Sequence, residues 1–161
     1  MSAVGNNLCL KVDPYIVYPG AKWTMAQWIM RHMPPHQIYL EPFAGSCAVF
    51  FNKARSDIET LNDVNGDIIN LFRVMREHLD ALLFAIEMTP WSREEFDTSY
   101  DLEGLSAVER ARKFLVRCWQ AHKPKLGQRT GWKKDTSGLH RKYYTRQWSR
   151  ALGVGLPSRV R

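Results

Sequence analysis

The first clear periodicity in the chain lies between residues 22 and 33. The apolar side chains of this segment recur at helical spacing, at Trp23, Ala26, Ile29, Met30 and Met33. Pro34 and Pro35 follow directly, and a proline pair ends a helix because proline lacks the amide hydrogen that the next turn needs. The pattern therefore predicts a helix over residues 22–33.

Residues 37–78 alternate between short apolar runs and helical patterns. The runs at 37–41 and 58–61 have the length and composition of strands, and each is followed by a turn. Helical apolar faces then follow at 46–54 and 67–78. Two successive strand–turn–helix units predict an α/β fold with a parallel sheet.

The pattern changes character after Pro90. Two capping boxes, Ser92 with Glu95 and Ser106 with Glu109, mark helix starts. The second predicts a strong helix to about residue 120, with its apolar face formed by Ala111, Phe114, Leu115 and Cys118. Residues 122–142 are polar and basic and predict a long loop. Residues 143–150 predict a short helix, and 151–161 predict no regular element.

Charge is divided unevenly between the two parts of the chain. Residues 1–109 hold eight Lys or Arg and fifteen Asp or Glu, whereas residues 110–161 hold fifteen Lys or Arg and one acid, Asp135. Large aromatic side chains are interleaved with the basic residues, at Trp119, Trp132, Tyr143, Tyr144 and Trp148. This combination favours a nucleic-acid partner over the alternative, a basic tail that merely improves solubility.

Composition restricts the class of protein further. The chain has 161 residues, of which 45% are apolar and 24% charged, as in ordinary globular proteins. No apolar run approaches the ~20 residues of a membrane span, and the first residues lack a secretory signal pattern. The three cysteines, Cys9, Cys47 and Cys118, form no CxxC pair, which argues against a disulfide framework or a structural zinc. We therefore expect a cytoplasmic protein with no membrane contact and no metal.

A candidate nucleotide site lies between the first strand and the next helix. Gly45 stands in that turn, where a ligand can approach the backbone closely, and Asp63 ends the second strand 18 residues later. In doubly wound sheets an acid at about this spacing accepts the hydroxyls of an adenosine ribose. We expect Gly45 and Asp63 to cradle one adenosine. By spacing alone, a turn glycine and a helix-capping aspartate are an equally good interpretation.

The absence of two motifs restricts the class of nucleotide ligand. The turn holds a single glycine, not the GxGxxG of dinucleotide sites, and the chain has no GxxxxGK[ST] phosphate loop. A ligand with ribose hydroxyls and no phosphate remains, and S-adenosylmethionine fits that description.

Three segments follow one another in the chain: residues 18–22 (YPGAK), 40–51 (LEPFAGSCAVFF) and 61–69 (LNDVNGDII). In this order they resemble the DNA adenine-N6 methyltransferases in which cofactor motifs come first, target recognition next and the catalytic motif last. The resemblance runs from about Pro14 to at least Arg150. It implies the N-terminal part of a Rossmann-like S-adenosylmethionine-dependent methyltransferase sheet, with a mainly helical basic recognition region. The implied division is a partial cofactor-binding domain over 1–90, a DNA target-recognition region over 91–150 and an irregular tail over 151–161.

The resemblance also implies roles for single residues. Tyr18 and Lys22 would lie against the cofactor, with Lys22 near its carboxylate, where a charge-assisted pair forms. Phe43 and Gly45 would wall the pocket, and Asp63 would take the ribose hydroxyls. One position departs from the family pattern, because Cys47 stands where a second glycine often occurs. A nucleophilic role for Cys47 is an unsupported alternative, since adenine-N6 transfer needs no enzyme nucleophile.

The basic segment supplies the candidate contacts to double-stranded DNA. Phosphate contacts are expected from Lys123, Lys125, Arg129, Lys133, Lys134, Arg141 and Lys142. Arg129, Thr130 and Trp132 are candidates for contact with bases. The segment would fit RNA nearly as well, and only the resemblance favours DNA.

The family's catalytic motif is not found in these 161 residues. That motif is an Asp or Asn followed by Pro-Pro and an aromatic residue, and its side chain and a proline carbonyl accept the hydrogens of adenine N6. Neither Pro34-Pro35 nor Asp13-Pro14-Tyr15 matches it. We therefore name no catalytic residue, and our hypothesis is a methyltransferase truncated before its catalytic motif.

Rival interpretations stay open at this point. One is a non-catalytic nucleic-acid-binding fragment, or half of a split enzyme whose second chain supplies the catalytic motif. Others are a small nicotinamide-dependent oxidoreductase and a methyltransferase that acts on RNA or protein. The target sequence, the oligomeric state and the choice between restriction-modification and a phage or regulatory role are not readable from the sequence.

Overall fold

A computed structural model describes residues 14–125 and 127–134. It contains, in chain order, α1 (Ala26–Arg31), β1 (Ile38–Glu41), α2 (Ala48–Asn52), β2 (Ile58–Leu61), α3 (Gly66–Glu77), α4 (Leu79–Glu87), α5 (Arg93–Thr98) and α6 (Ala107–Gln120). The predicted helix at 143–150 and the tail at 151–161 lie outside the described residues. So do the candidate residues Arg141, Lys142, Tyr143, Tyr144 and Trp148.

The two strands form the predicted parallel pair. They run in register from Ile38 opposite Ile58 to Glu41 opposite Leu61. The connection between them contains α2, because parallel strands need a crossover rather than a tight turn. The α/β class predicted from the pattern is therefore confirmed at this level.

The two faces of the sheet differ within the described residues. Tyr39 and Leu61 pack against the main core. On the opposite face, Ile38 is 66% exposed, Leu40 59% and Ile58 56%. Parallel sheets in α/β proteins are covered on both faces, whereas the described residues leave this face open.

The main core lies among the helices. Its buried members come from α2, α3, α4 and α6, together with Ala44 and Cys47 from the turn before α2 and Tyr15 and Ile16 from the segment before α1. Tyr15 is completely buried, and its hydroxyl donates to the carbonyl of Ser46 at 2.9 Å. One core thus joins side chains from both sides of residue 90.

Two helix starts follow the predicted capping boxes. The Ser92 side chain accepts from the Glu95 amide, and the Ser106 side chain accepts from the Glu109 amide. The buried face of α6 contains the predicted Ala111, Phe114, Leu115 and Cys118.

Two elements differ from the pattern. The helix predicted over 22–33 is shortened to α1, because residues 23–25 form a turn, with the Met25 amide bonded to the Lys22 carbonyl. Helix α4 was not predicted. Its apolar residues stand on several faces, with Leu82 buried and Phe84 66% exposed, which blurs the helical period.

The described part of the predicted long loop doubles back on itself. Antiparallel bridges join Ala121 with Trp132 and Lys125 with Gln128. The His122 amide donates to the Gly131 carbonyl at 2.8 Å, and the Lys133 amide donates to the Gln120 carbonyl at 2.7 Å. We call residues 121–134 the basic return. Its backbone is held against the end of α6.

No described helix combines the length and the apolar character needed to cross a bilayer. Among residues 14–125 and 127–134, no group of three or more His, Cys, Asp or Glu side chains is arranged to hold a metal ion.

Candidate cofactor and DNA site

The turn after β1 takes a left-handed backbone at two positions. Gly45 has φ +48° and Cys47 has φ +51°. Glycine adopts this region freely, whereas a side chain there is strained. A glycine at position 47 would adopt this backbone without the strain that Cys47 carries. Cys47 is fully buried, and burial is the main reason its thiol pKa is raised. A protonated, enclosed thiol is a poor nucleophile.

Asp63 ties this turn to the end of β2. Its Oδ2 accepts the Gly45 amide at 2.8 Å, and its Oδ1 accepts the Asn65 amide at 2.8 Å. Gly45 and Asp63 are therefore in direct contact, whereas the spacing had led us to expect an adenosine between them. They touch directly, so a ligand does not fit between them. The open space lies on the other side of the carboxylate.

Tyr18 forms the next part of the site. Its hydroxyl accepts from Asn65 Nδ2 at 3.2 Å, and its ring lies 6.4 Å from the ring of Phe114. A Cβ at Gly45 would stand 3.2 Å from Tyr18 Cε1, so the absence of a side chain lets the ring approach the turn. Burial raises the pKa of Tyr18, which keeps the phenol neutral.

A cavity of about 420 Å³ opens beside Asp63. This volume is within the usual range for small-molecule sites. Its walls combine acids, aromatic rings and bases, contributed by Asp63, Asp67, Tyr18, Tyr100, Phe114, Arg117, Lys125 and Arg129. The cavity is therefore bordered both by Asp63, just after β2, and by the basic return.

Of the five predicted cofactor residues, Tyr18 and Asp63 line this cavity, whereas Gly45, Lys22 and Phe43 do not. Lys22 Nζ donates to the Gly20 carbonyl at 2.7 Å, on the surface. Phe43 is 82% exposed, so it is not a core aromatic. Neither lines the cavity beside Asp63.

Ion pairs connect the cofactor turn with α6. The amide of Asp67 donates to Asn65 Oδ1 at 3.0 Å, and the Asp67 carboxylate accepts from Arg110 Nε at 2.7 Å and Arg117 Nη2 at 2.8 Å. The Arg117 guanidinium lies 5.6 Å from the ring centroid of Tyr100 and 5.7 Å from that of Phe114. Arg117 and Tyr100 were not predicted from the sequence. The position of Arg117, three residues after Phe114 and next to the buried face of α6, is the sequence feature that could have indicated it.

The predicted DNA-contacting residues differ in their exposure and in the partners that they already have. Lys123, Lys125 and Lys134 are exposed, while Lys133 is partly buried. Arg129 is exposed too, but its Nη2 donates to Asp97 at 2.7 Å and its guanidinium lies over Tyr100. Trp132 packs against a small buried cluster that contains Phe96, and its indole donates to Gln120 Oε1 at 3.1 Å. In this conformation, Trp132 helps to hold the basic return.

Three proteins that are similar to part of this chain are DNA adenine methylases or methyltransferases by name. The DNA adenine methylase of Serratia marcescens is 33% identical over 96 residues, which cover 53% of this chain and 35% of that protein. The DNA adenine methylase of Escherichia coli strain K12 is 30% identical over 98 residues, covering 54% of this chain and 35% of that protein. The DNA N-6-adenine-methyltransferase of Escherichia phage P1 is 33% identical over 66 residues, covering 41% and 9%. The chain thus spans about a third of the length of the two methylases.

The family comparison covers much more of the chain than these pairwise matches. The family model of the D12 class N6 adenine-specific DNA methyltransferases matches residues 18–150. This stretch includes the turn at Gly45, Asp63 with its cavity, α6 and the basic return. The chain belongs to the D12 class N6 adenine-specific DNA methyltransferase family.

Proposed function

We propose that this chain is the cofactor- and DNA-binding part of an enzyme that transfers a methyl group from S-adenosylmethionine to adenine N6 in double-stranded DNA. The observation that carries the proposal is the Asp63 carboxylate, held by two backbone amides at the edge of a cavity that also borders the basic return. A DNA substrate further implies that the protein works in the compartment that holds the DNA, which we propose is the cytoplasm.

Asp63 is suited to a ribose because its orientation is already set. Each oxygen accepts one backbone amide, which leaves lone pairs on both oxygens for ribose hydroxyls. A ligand then meets a preorganised acceptor and does not have to order a free side chain. We propose that the Rossmann-like arrangement of the family surrounds this pair of strand ends.

The remaining cofactor contacts follow from position. Tyr18 offers a neutral aromatic wall, and Gly45 keeps the turn close to Tyr18 and Asp63. Lys22 and Phe43 are proposed from the resemblance only, and each side chain would have to turn to reach a ligand beside Asp63. S-adenosylmethionine, when bound, supplies the activated methyl group.

The catalytic groups for adenine N6 must come from outside these 161 residues if transfer occurs. The proposed source is a polypeptide segment that carries the Asp-Pro-Pro-aromatic motif, on a second chain. The exposed Ile38, Leu40 and Ile58 support this, because an apolar parallel-sheet face is normally covered by protein. The alternative function is that of a non-catalytic DNA-binding fragment. It is favoured because these 161 residues contain no Asp-Pro-Pro-aromatic motif.

Cofactor binding to the purified chain tests the proposal. We expect S-adenosylhomocysteine to bind in isothermal titration calorimetry, and Asp63→Asn to weaken it at least about tenfold, because an amide cannot accept from two backbone donors without turning an NH2 toward one of them. Asp57→Asn, on an exposed acid before β2, is the control. Wild-type chain that binds DNA but no adenosyl ligand would leave only the DNA-binding fragment.

Labelled methyl transfer tests the second chain. The 161-residue chain alone should give no product on double-stranded DNA, and addition of a polypeptide with the Asp-Pro-Pro-aromatic segment should restore turnover. Turnover by the chain alone would contradict the need for outside catalytic groups. RNA as competitor separates the RNA alternative, since RNA should displace the DNA only weakly.

A further inference from the structure

The basic return pairs with itself as one antiparallel ribbon. Ala121 is bridged to Trp132 and Lys125 to Gln128, and both bridges belong to a single register. Gly127, between the members of the second bridge, has a left-handed backbone with φ +65°, which suits a tight reversal of the chain. The major groove of B-DNA, about 12 Å wide, admits a two-stranded ribbon. The return therefore has a shape that can enter a major groove.

Lys125 and Gln128 form the tip of this ribbon. Directly opposed residues of an antiparallel pair place their side chains on the same face, with Cβ atoms about 4.5–5.5 Å apart. Both residues are exposed, and both line the cavity that Asp63 borders. The tip therefore presents a base and an amide next to the proposed cofactor site, where the target adenine has to arrive.

The candidates for base contact that the sequence indicated are already engaged. Arg129 donates to a carboxylate of α5 at 2.7 Å, and the indole of Trp132 donates to the end of α6 at 3.1 Å. The hydroxyl oxygen of Thr130 is buried. The side chain of Gln128, in contrast, has no hydrogen-bond partner in the described part of the chain. Its amide group is free to bind a base.

A glutamine amide matches one base in the major groove. Its carbonyl oxygen accepts from N6 of adenine while its NH2 group donates to N7, so two hydrogen bonds form together. Guanine offers two acceptors there, cytosine a donor, and thymine an acceptor beside a methyl group, so none of them matches both halves of the amide. A lysine has only donors, and it contacts phosphate as a point charge.

We propose that Gln128 recognises an adenine of the target sequence in the major groove, and that Lys125 beside it holds the tip on a neighbouring phosphate. This inference rests on the proposed DNA substrate and adds a specificity-determining residue to it. Base recognition thereby moves from Arg129, Thr130 and Trp132 to the tip of the basic return.

The test is selection of bound duplexes from a pool with randomised positions, with the full chain at fixed salt. The wild-type chain should prefer adenine at one position by about tenfold, the discrimination expected of one bidentate pair. Gln128→Ala should bring this preference close to one and leave the preferences at other positions unchanged. Gln128→Glu should favour cytosine at that position, because a carboxylate accepts from its N4 amino group.

Lys125→Ala is the matched control, because it removes the neighbouring side chain from the same tip. It should lower the slope of log K against log salt by about one and leave the adenine preference in place. 7-Deazaadenine at the selected position lacks the N7 acceptor. It should weaken wild-type binding severalfold and leave binding by Gln128→Ala unchanged. Both side chains are exposed, and thermal melts should show folded protein for every variant.

The outcomes separate this inference from the function beneath it. An adenine preference that survives in Gln128→Ala overturns the role of Gln128, while DNA binding stands. Loss of all base preferences together, with a lower salt slope, makes Gln128 a general contact and overturns the inference too. A wild-type chain that binds DNA without preference for any base has the same consequence. A wild-type chain that binds no DNA removes both the inference and the proposed DNA substrate.

Discussion

The turn around Gly45 and the basic return are built on opposite principles. At the turn, the charged group is bound by the backbone: the two oxygens of Asp63 accept the amide of Gly45 within the turn and the amide of Asn65 at the start of α3. In the basic return, Lys123, Lys125 and Lys134 extend into solvent, and Arg129 is held by a surface acid. The first arrangement suits one small ligand of fixed shape, and the second suits a long polyanion that is contacted through its charge.

Helix α6 connects these two regions. It packs against α3 and α4, and Arg117 reaches the Asp67 carboxylate near the start of α3. The same helix ends where the basic return begins, and Gln120 at its end receives the indole hydrogen of Trp132. The proposed cofactor and DNA sites thus share this helix.

The largest expected effect contrasts a buried lysine at the end of α2 with an exposed lysine of the basic return. Lys53 is 3% exposed, and its ammonium donates to Ala54 O, Ser56 Oγ and Glu59 Oε1. Lys53→Met should lower the free energy of unfolding by about 3–5 kcal/mol, because it leaves the Glu59 carboxylate largely buried without its cation. Lys134→Met, on an exposed cation of the basic return, should change it by less than about 0.5 kcal/mol. Urea unfolding measures both.

A double variant completes this experiment. Lys53→Met combined with Glu59→Leu should recover a large part of the loss, since apolar replacement of a whole buried pair is tolerated far better than removal of one partner. If Lys53→Met and Lys134→Met were equally stable, the buried contacts of Lys53 would contribute no more to folding than an exposed lysine of the basic return.

A smaller effect concerns DNA affinity. Lys123→Ala and Lys134→Ala should each weaken DNA binding and lower the slope of log K against log salt by about one, with no preference for sequence. Fluorescence anisotropy over a salt series measures the slope. Arg55→Ala, which removes an exposed cation from the segment between α2 and β2, should leave it unchanged. A slope equally reduced by Arg55→Ala would spread DNA contact over both regions.

The smallest expected effect tests whether the acid beside Arg129 restrains it. Asp97 pairs with Arg129 at 2.7 Å and with Arg93 at 3.6 Å. Asp97→Asn should raise DNA affinity about two- to threefold, because a surface ion pair is worth at most ~1 kcal/mol and its loss frees a cation for phosphate. Asp101→Asn, an exposed acid nearby, is the control. Weaker binding by Asp97→Asn would instead make this pair part of the DNA-binding conformation.

Local signals in the sequence were sufficient for most elements. The two strands, the cap residues Ser92 and Ser106 and the buried face of α6 follow from short-range rules of periodicity and capping. Helix α4 could not be predicted in the same way, because its apolar side chains surround the helix and only packing selects which of them are buried. The doubling back of residues 121–134 depends on contacts with Gln120 and Trp91, which are distant in sequence or on another element.

By itself, the sequence determined the parallel strand pair, the turn that contains Gly45 and the separation of acidic and basic parts. These follow from two successive strand–turn–helix patterns and from composition. Only the tertiary structure decided that the cavity lies beside Asp63, that Phe43 and Lys22 face away from it, and that Arg117 enters it. Those positions depend on how α3 and α6 pack, because packing sets the direction of side chains that are 50 residues apart in the chain.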